Sequence, residues 1–205
     1  MRKLALLAAT ALLVAPPTLA QTQQQRAQGA QSQTGSPPMA EPAAPAAGTS
    51  ATGSRAAALT AAAFARTAAM SDLYEIEASR LAEQRSQNAQ VKQFAQHMLR
   101  DHQKTTNELK GMLPQLQGVS AQQMPTGLDQ QHQALVQQLQ AAQGAEFDRV
   151  FARQQLQSHQ TAVELFRAYA QSGDNAQLKQ WAAQTLPSLE EHLRQAQQLQ
   201  RGTRG

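Results

Sequence analysis

From residue 56 onward, apolar side chains return every three to four positions, the period of an amphipathic helix. No stretch alternates with a period of two or carries the β-branched enrichment of a strand, so the pattern predicts an all-α domain. The first long helix is expected over 56–84, with Phe64, Ala68, Ser71, Ala78 and Ala82 on one face and Glu75 at its centre. The second is expected over 88–113 and stops at Pro114. Its stripe reads Val91, Phe94, Met98, His102, Thr105, Leu109 and Leu113.

The third runs over 145–171 with a wide apolar face: Phe147, Phe151, Ala162, Leu165, Phe166 and Tyr169, flanked by Leu156 and Val163. Asp148, Gln155 and His159 project within that face. Ser172-Gly173-Asp174 reads as a stop and restart, with Gly173 as C-cap and Asp174 as N-cap. The fourth helix then continues to residue 200 through Leu178, Trp181, Ala182, Thr185, Leu189, His192, Ala196 and Leu199. Pro187 sits inside it and is expected to kink it before His192.

Residues 114–144 break the long period. Gly118, Pro125 and Gly127 mark a loop, and Leu128, His132, Leu135 and Leu139 align on a shorter helix. Two antiparallel helix pairs with short links, joined by one long helix-containing connection between the second and third long helices, form a ferritin-like four-helix bundle. A rise of about 1.5 Å per residue places Glu75, His102 and His159 roughly 20 Å from the nearest interhelix turn, and His192 somewhat further. All four therefore fall near mid-bundle.

That coincidence raises the question of chemistry. Each long helix puts a carboxylate or an imidazole on its oily face, and burying such groups unpaired costs several kcal/mol. They either satisfy one another or bind a ligand. Glu75, His102, His159 and His192 are candidate ligands for a transition metal such as iron, manganese or zinc, with Asp101, Asp148 and Gln155 as candidate orienting partners. His97 falls on the wet side of its helix, and Tyr74, Glu77 and Glu190 are expected to face solvent or a helix end. His132 reads as a packing residue. The Glu-x-x-His pair of di-iron bundles is missing, since Leu99 and Leu189 stand three residues before His102 and His192. No Ser-His-Asp order, glycine-rich phosphate loop or Cys/His cluster offers another chemistry. Nothing selects an enzyme.

Composition sets the compartment and excludes partners. Arg2 and Lys3 precede a short apolar run and the small-residue end Thr18-Leu19-Ala20, the form of a secretory signal peptide over 1–20. The run is too short to span a membrane. Residues 21–55 are Gln, Ala, Pro, Gly, Ser and Thr with few large apolar side chains, a linker composition that cannot offset its ordering entropy. The folded domain is thus expected over 56–201. There is no cysteine, so neither a disulfide nor a lipidated N-terminal Cys can form. The formal charge of +4 includes Arg2 and Lys3, and the remainder is too small for a dedicated nucleic-acid binder.

The segments FARTAAMSDLYEIEASRLA, VKQFAQHMLRDH, FDRVFARQQLQSH and LPSLEEHLRQA, in this order behind a signal peptide, resemble the bacterial exported family known as domain of unknown function 4142. The likeness runs from about Ala61 to Leu199. Glu75, Asp101-His102, Phe147-Asp148, His159 and His192 match the family pattern. The resemblance implies a ferritin-like bundle exported to the periplasm or associated with the outer membrane, and implies no particular activity. Two expectations stand side by side. One is an envelope bundle that binds a metal and serves in stress protection; the other is a non-catalytic bundle with a buried polar network, no metal and an envelope protein as partner.

Overall fold

A computed structural model describes residues 59–204. The expected signal peptide and linker lie outside the described residues. Five α-helices follow in order: α1 (Ala61–Arg85), α2 (Ala89–Met112), α3 (Gln130–Ala141), α4 (Gly144–Ser172) and α5 (Ala176–Gly202). Among the described residues there is no strand, and no helix is long and apolar enough to cross a membrane.

Polar side chains fix the helix starts. The side chains of Thr60, Asn88, Asp129 and Asn175 each accept from a backbone N–H in the first turn of α1, α2, α3 and α5. The start of α1 falls at Ala61, five residues beyond the periodic expectation, where the Thr60 side chain caps it. One expected cap is corrected. Asn175 opens α5, while Asp174 instead accepts from the Tyr169 hydroxyl at 2.9 Å. Gly173 does cap α4. A Cβ there would meet the Tyr169 ring at 2.6 Å, so only glycine fits. α5 runs unbroken across Pro187, although Pro187 has no N–H to give the carbonyl four residues earlier.

α1 pairs with α2 and α4 with α5, and the long crossover lets α1 lie against α4 and α2 against α5. Carrying α3, the crossover returns along α1. Arg85 fastens it there, donating to the carbonyl oxygens of Leu139, Gln140 and Ala142 at the end of α3.

The core falls into two apolar blocks. At one end Phe64, Leu109, Phe166 and Trp181 pack together, with Phe64 stacked on Tyr169 at 3.9 Å between ring centroids. At the other end Val91, Phe94, Met98, Phe147, Phe151 and Leu199 do the same. Each long helix changes character between the blocks: Asp72 and Glu75 on α1, His102 on α2, Gln155 and His159 on α4 and His192 on α5 are all buried there. A polar layer therefore crosses the middle of an otherwise apolar bundle.

Candidate metal centre

Three of the expected site residues meet in this layer. His102, His159 and His192 lie with ring centroids 5.4 to 5.7 Å apart, and one nitrogen from each falls within 4.8 Å of the other two. Only 4 %, 1 % and 2 % of their surfaces are exposed.

Their neighbours settle which nitrogen carries the proton. Nδ1 of His102 faces Asp72 Oδ1 at 2.8 Å. Nδ1 of His159 faces the carbonyl oxygen of Gln155, one turn earlier, at 2.8 Å. Nε2 of His192 faces Asp101 Oδ2 at 2.8 Å. Carboxylate and carbonyl oxygens accept, so each of these nitrogens donates. The opposite nitrogens, His102 Nε2, His159 Nε2 and His192 Nδ1, then carry bare lone pairs. Among the described residues none has a hydrogen-bond partner.

Electrostatics keeps two of those lone pairs free. Burial, with repulsion from His102, holds the pKa of His159 below its ordinary value against the pull of Glu75. Burial and the fields of His159 and His102 push His192 down to about 4, with Asp101 opposing. His102 goes the other way. Burial disfavours its charge, but the Asp72 hydrogen bond and the negative fields of Asp72, Glu75 and Asp101 outweigh that and raise its pKa.

Glu75 stands beside the three nitrogens rather than among them. It is fully buried, its Oε1 accepts from Ser158 Oγ at 2.5 Å, and its Oε2 has no partner among the described residues. Gln155 is also fully buried with both amide atoms unpartnered. Left so, each such atom costs about 1–3 kcal/mol.

Other expectations need correction. Asp148 does not reach the site: it accepts from Ser86 Oγ at 2.6 Å beside the α1–α2 turn, eleven residues or about 16 Å along α4 from His159. Tyr74 does not face solvent. It is 1 % exposed, belongs to the same apolar block as Val136 and Leu139 of the crossover helix, and donates to Gln154 Oε1 at 2.9 Å. His97 is half-buried rather than wet, with Nε2 3.2 Å from Asp101 Oδ2 and Nδ1 3.1 Å from Gln195 Oε1. Glu190 is at the surface, paired with Arg167, and His132 lies against Tyr74 while pairing with Asp129.

Asp72 is the residue that sequence reasoning missed. Besides His102, it accepts from the hydroxyls of Thr105 at 2.9 Å and Thr106 at 3.1 Å. Its signal was the spacing Ala68, Asp72, Glu75, Ser79, which runs down the same face. A cleft of about 420 Å³ lined by Asp72, Asp101, His102, Glu108, Thr185 and His192 leads to the histidines from the side of α2 and α5.

A family model described as domain of unknown function (DUF4142) matches residues 44–199. The chain belongs to this family. Solved structures share the fold at low identity. CopM in its Cu(II)-bound form is 21 % identical with a TM-score of 0.60, the match covering 71 % of this chain and 98 % of CopM. CopM in a silver-bound form aligns with a TM-score of 0.57 at 21 % identity, over 70 % and 97 % of the two chains. A Streptomyces coelicolor DUF305 protein, described as secreted, is 16 % identical with a TM-score of 0.57, over 70 % of this chain and 92 % of its own. No curated protein matches the chain in sequence.

Proposed function

We propose that this DUF4142 protein is an exported envelope protein that holds a transition-metal ion at mid-bundle, in a binding rather than a catalytic role. His102 Nε2, His159 Nε2 and His192 Nδ1 are the ligands. Glu75 supplies the compensating buried charge, and Asp72, Asp101 and the Gln155 carbonyl fix the rings. The observation that carries this reading is the meeting of three buried histidines, one ring nitrogen of each within 4.8 Å of the other two, every ring held by a hydrogen bond on one nitrogen and unpartnered on the other among the described residues. Metal-ligating histidines almost always have such a partner.

Three imidazoles favour copper and zinc over manganese, and the general affinity order puts Cu(II) first. The copper- and silver-bound forms of CopM, on a similar bundle, support copper ahead of the iron, manganese or zinc suggested by the sequence. Export rests on the signal-peptide pattern and on the likeness to a protein described as secreted. Sequestering an ion in the envelope is a protective role that needs no reaction.

The test uses the domain purified without a polyhistidine tag. Metal content after separate exposure to Cu(II), Zn(II) and Fe(II), followed by gel filtration, should show one ion per chain, held most tightly for copper. His159→Gln and His102→Gln should each weaken that binding at least tenfold. Absence of retained metal under all three conditions overturns the proposal.

A further inference from the structure

The same layer contains a second constellation that the buried centre does not use. His97, Asp101 and His192 each offer a ligand atom, all within 4.8 Å of one another. Here His192 presents Nε2, the nitrogen opposite its inner lone pair, and shares Asp101 Oδ2 with Nε2 of His97. Exposure falls steeply across the group. The side chains of His97 and Asp101 are 31 % and 34 % exposed, that of His192 only 3 %.

His97 also has an orienting partner of the kind seen at the inner rings. Its Nδ1 lies 3.1 Å from Gln195 Oε1, and the Gln195 amide donates in turn to Glu191 Oε1 at 2.7 Å. Both nitrogens of His97 thus face oxygen acceptors, and a neutral ring has one proton for the two; with that proton on Nδ1, the Nε2 lone pair faces Asp101 Oδ2, an opposition that a cation between them would relieve. The group lies between two openings. His97 lines a groove of about 450 Å³ with Gln93, Arg100 and Arg194, while Asp101 and His192 line the cleft that leads to the buried histidines.

We propose that His97, Asp101 and His192 form an outer metal position through which a divalent ion passes to the inner one. The inference rests on the inner site of the proposed function. Because a neutral imidazole has one lone pair, His192 serves the two positions alternately. With the ion outside, Nε2 binds and Nδ1 keeps the proton; with the ion inside, Nδ1 binds and the proton sits on Nε2, donating to Asp101. No net proton is gained or lost in the hand-over, and one chain holds one ion.

Cu(II) loading of the tag-free domain, followed by stopped-flow absorbance and electron paramagnetic resonance, tests this. His97→Gln should load at least tenfold more slowly than wild type while its equilibrium affinity stays within about threefold; His132→Gln should match wild type in both. His159→Gln should keep a weaker, rapidly exchanging Cu(II) signal, which His97→Gln in the same chain removes. If wild type binds Cu(II) but His97→Gln loads at the wild-type rate, or the weak signal survives in the double variant, the outer position is wrong and the inner site stands. If wild type binds no Cu(II), both readings fall together.

Discussion

Replacing Asp72 separates positioning from packing. The carboxylate is 6 % exposed and accepts three hydrogen bonds, from His102, Thr105 and Thr106. In Asp72→Ala the Thr105 hydroxyl retains the carbonyl oxygens of Asp101 and His102, both at 3.2 Å. The uncompensated losses are the bonds from His102 and Thr106. Hydrogen bonds to a charged group contribute about 1.5–3 kcal/mol each, and breaking a buried ionic contact costs about 3–5 kcal/mol. A net loss of about 3 kcal/mol should lower the melting temperature of a domain this size by roughly 6–12 °C. Asp72 also holds the proton of His102 on Nδ1, so Cu(II) affinity should fall about 10- to 100-fold. Asp72→Asn keeps an acceptor for His102 and turns its amide toward hydroxyls that can accept. It should recover most of the stability and still bind Cu(II) about tenfold more weakly, through its lost charge. Circular dichroism melts of the metal-free proteins and competition against a chromophoric chelator measure the two effects. Wild-type copper affinity in Asp72→Ala would refute the positioning argument, whatever happened to the melting temperature.

Three further outcomes follow from the same layer. His159→Leu removes a buried nitrogen that has no partner among the described residues, so the metal-free melting temperature should hold or rise while copper affinity falls at least tenfold; a fall of more than about 5 °C, over 1 kcal/mol at this size, would contradict the assigned orphan. Tyr74→Phe deletes a buried hydroxyl that donates to Gln154 and should cost about 1–2 kcal/mol in urea unfolding without changing copper affinity, a change in affinity being the adverse result. Metal-free stability should fall as pH drops from 6.5 to 4.5: His192, with a pKa of about 4, stays neutral when folded but takes up a proton on unfolding, and the lowered pKa of His159 acts in the same direction, so the unfolded state binds more protons. His192 alone would contribute roughly 3 kcal/mol once the pH is well below 4. The raised pKa of His102 opposes this by stability that is full below its unfolded value and lost as pH rises through the folded one; a urea midpoint that rises on acidification would reverse the assignment.

The periodic stripes of the four long helices were legible because their faces turn toward one another, and residues such as Phe94, His102, Phe166 and His192 declare that face within their own segment. What escaped depends on neighbours from elsewhere in the chain. Tyr74 looked exposed on α1 because nothing local shows that the crossover helix returns over it; His132 of that helix lies against its ring. Asp148 shares the apolar face of α4 but lies near its start, where Ser86 from the α1–α2 turn takes it. His97 is off the stripe of α2, yet α5 brings Gln195 to it. Asp72 went unread because Ser71 beside it fitted the stripe nearly as well, and position alone does not decide which of two adjacent polar residues turns inward.

The missing Glu-x-x-His motif has a physical reading in this arrangement. A di-iron bundle recruits carboxylates as ligands, whereas here Leu99 is half-buried and Leu189 lies in the apolar block. The carboxylates of Asp72 and Asp101 act one step back, on the far nitrogen of each ring. That changes what the centre can hold. Three imidazoles with one adjacent buried carboxylate suit a single ion of the copper or zinc type better than a pair of irons sharing bridging oxygens. It also explains the inequality among the histidines. His102 has a buried carboxylate partner, His159 only a carbonyl, and His192 a carboxylate that is one-third exposed. Of the three, His192 is therefore the ring best placed to turn its lone pair between solvent and core, because its partner sits where solvent can compensate a shifted proton.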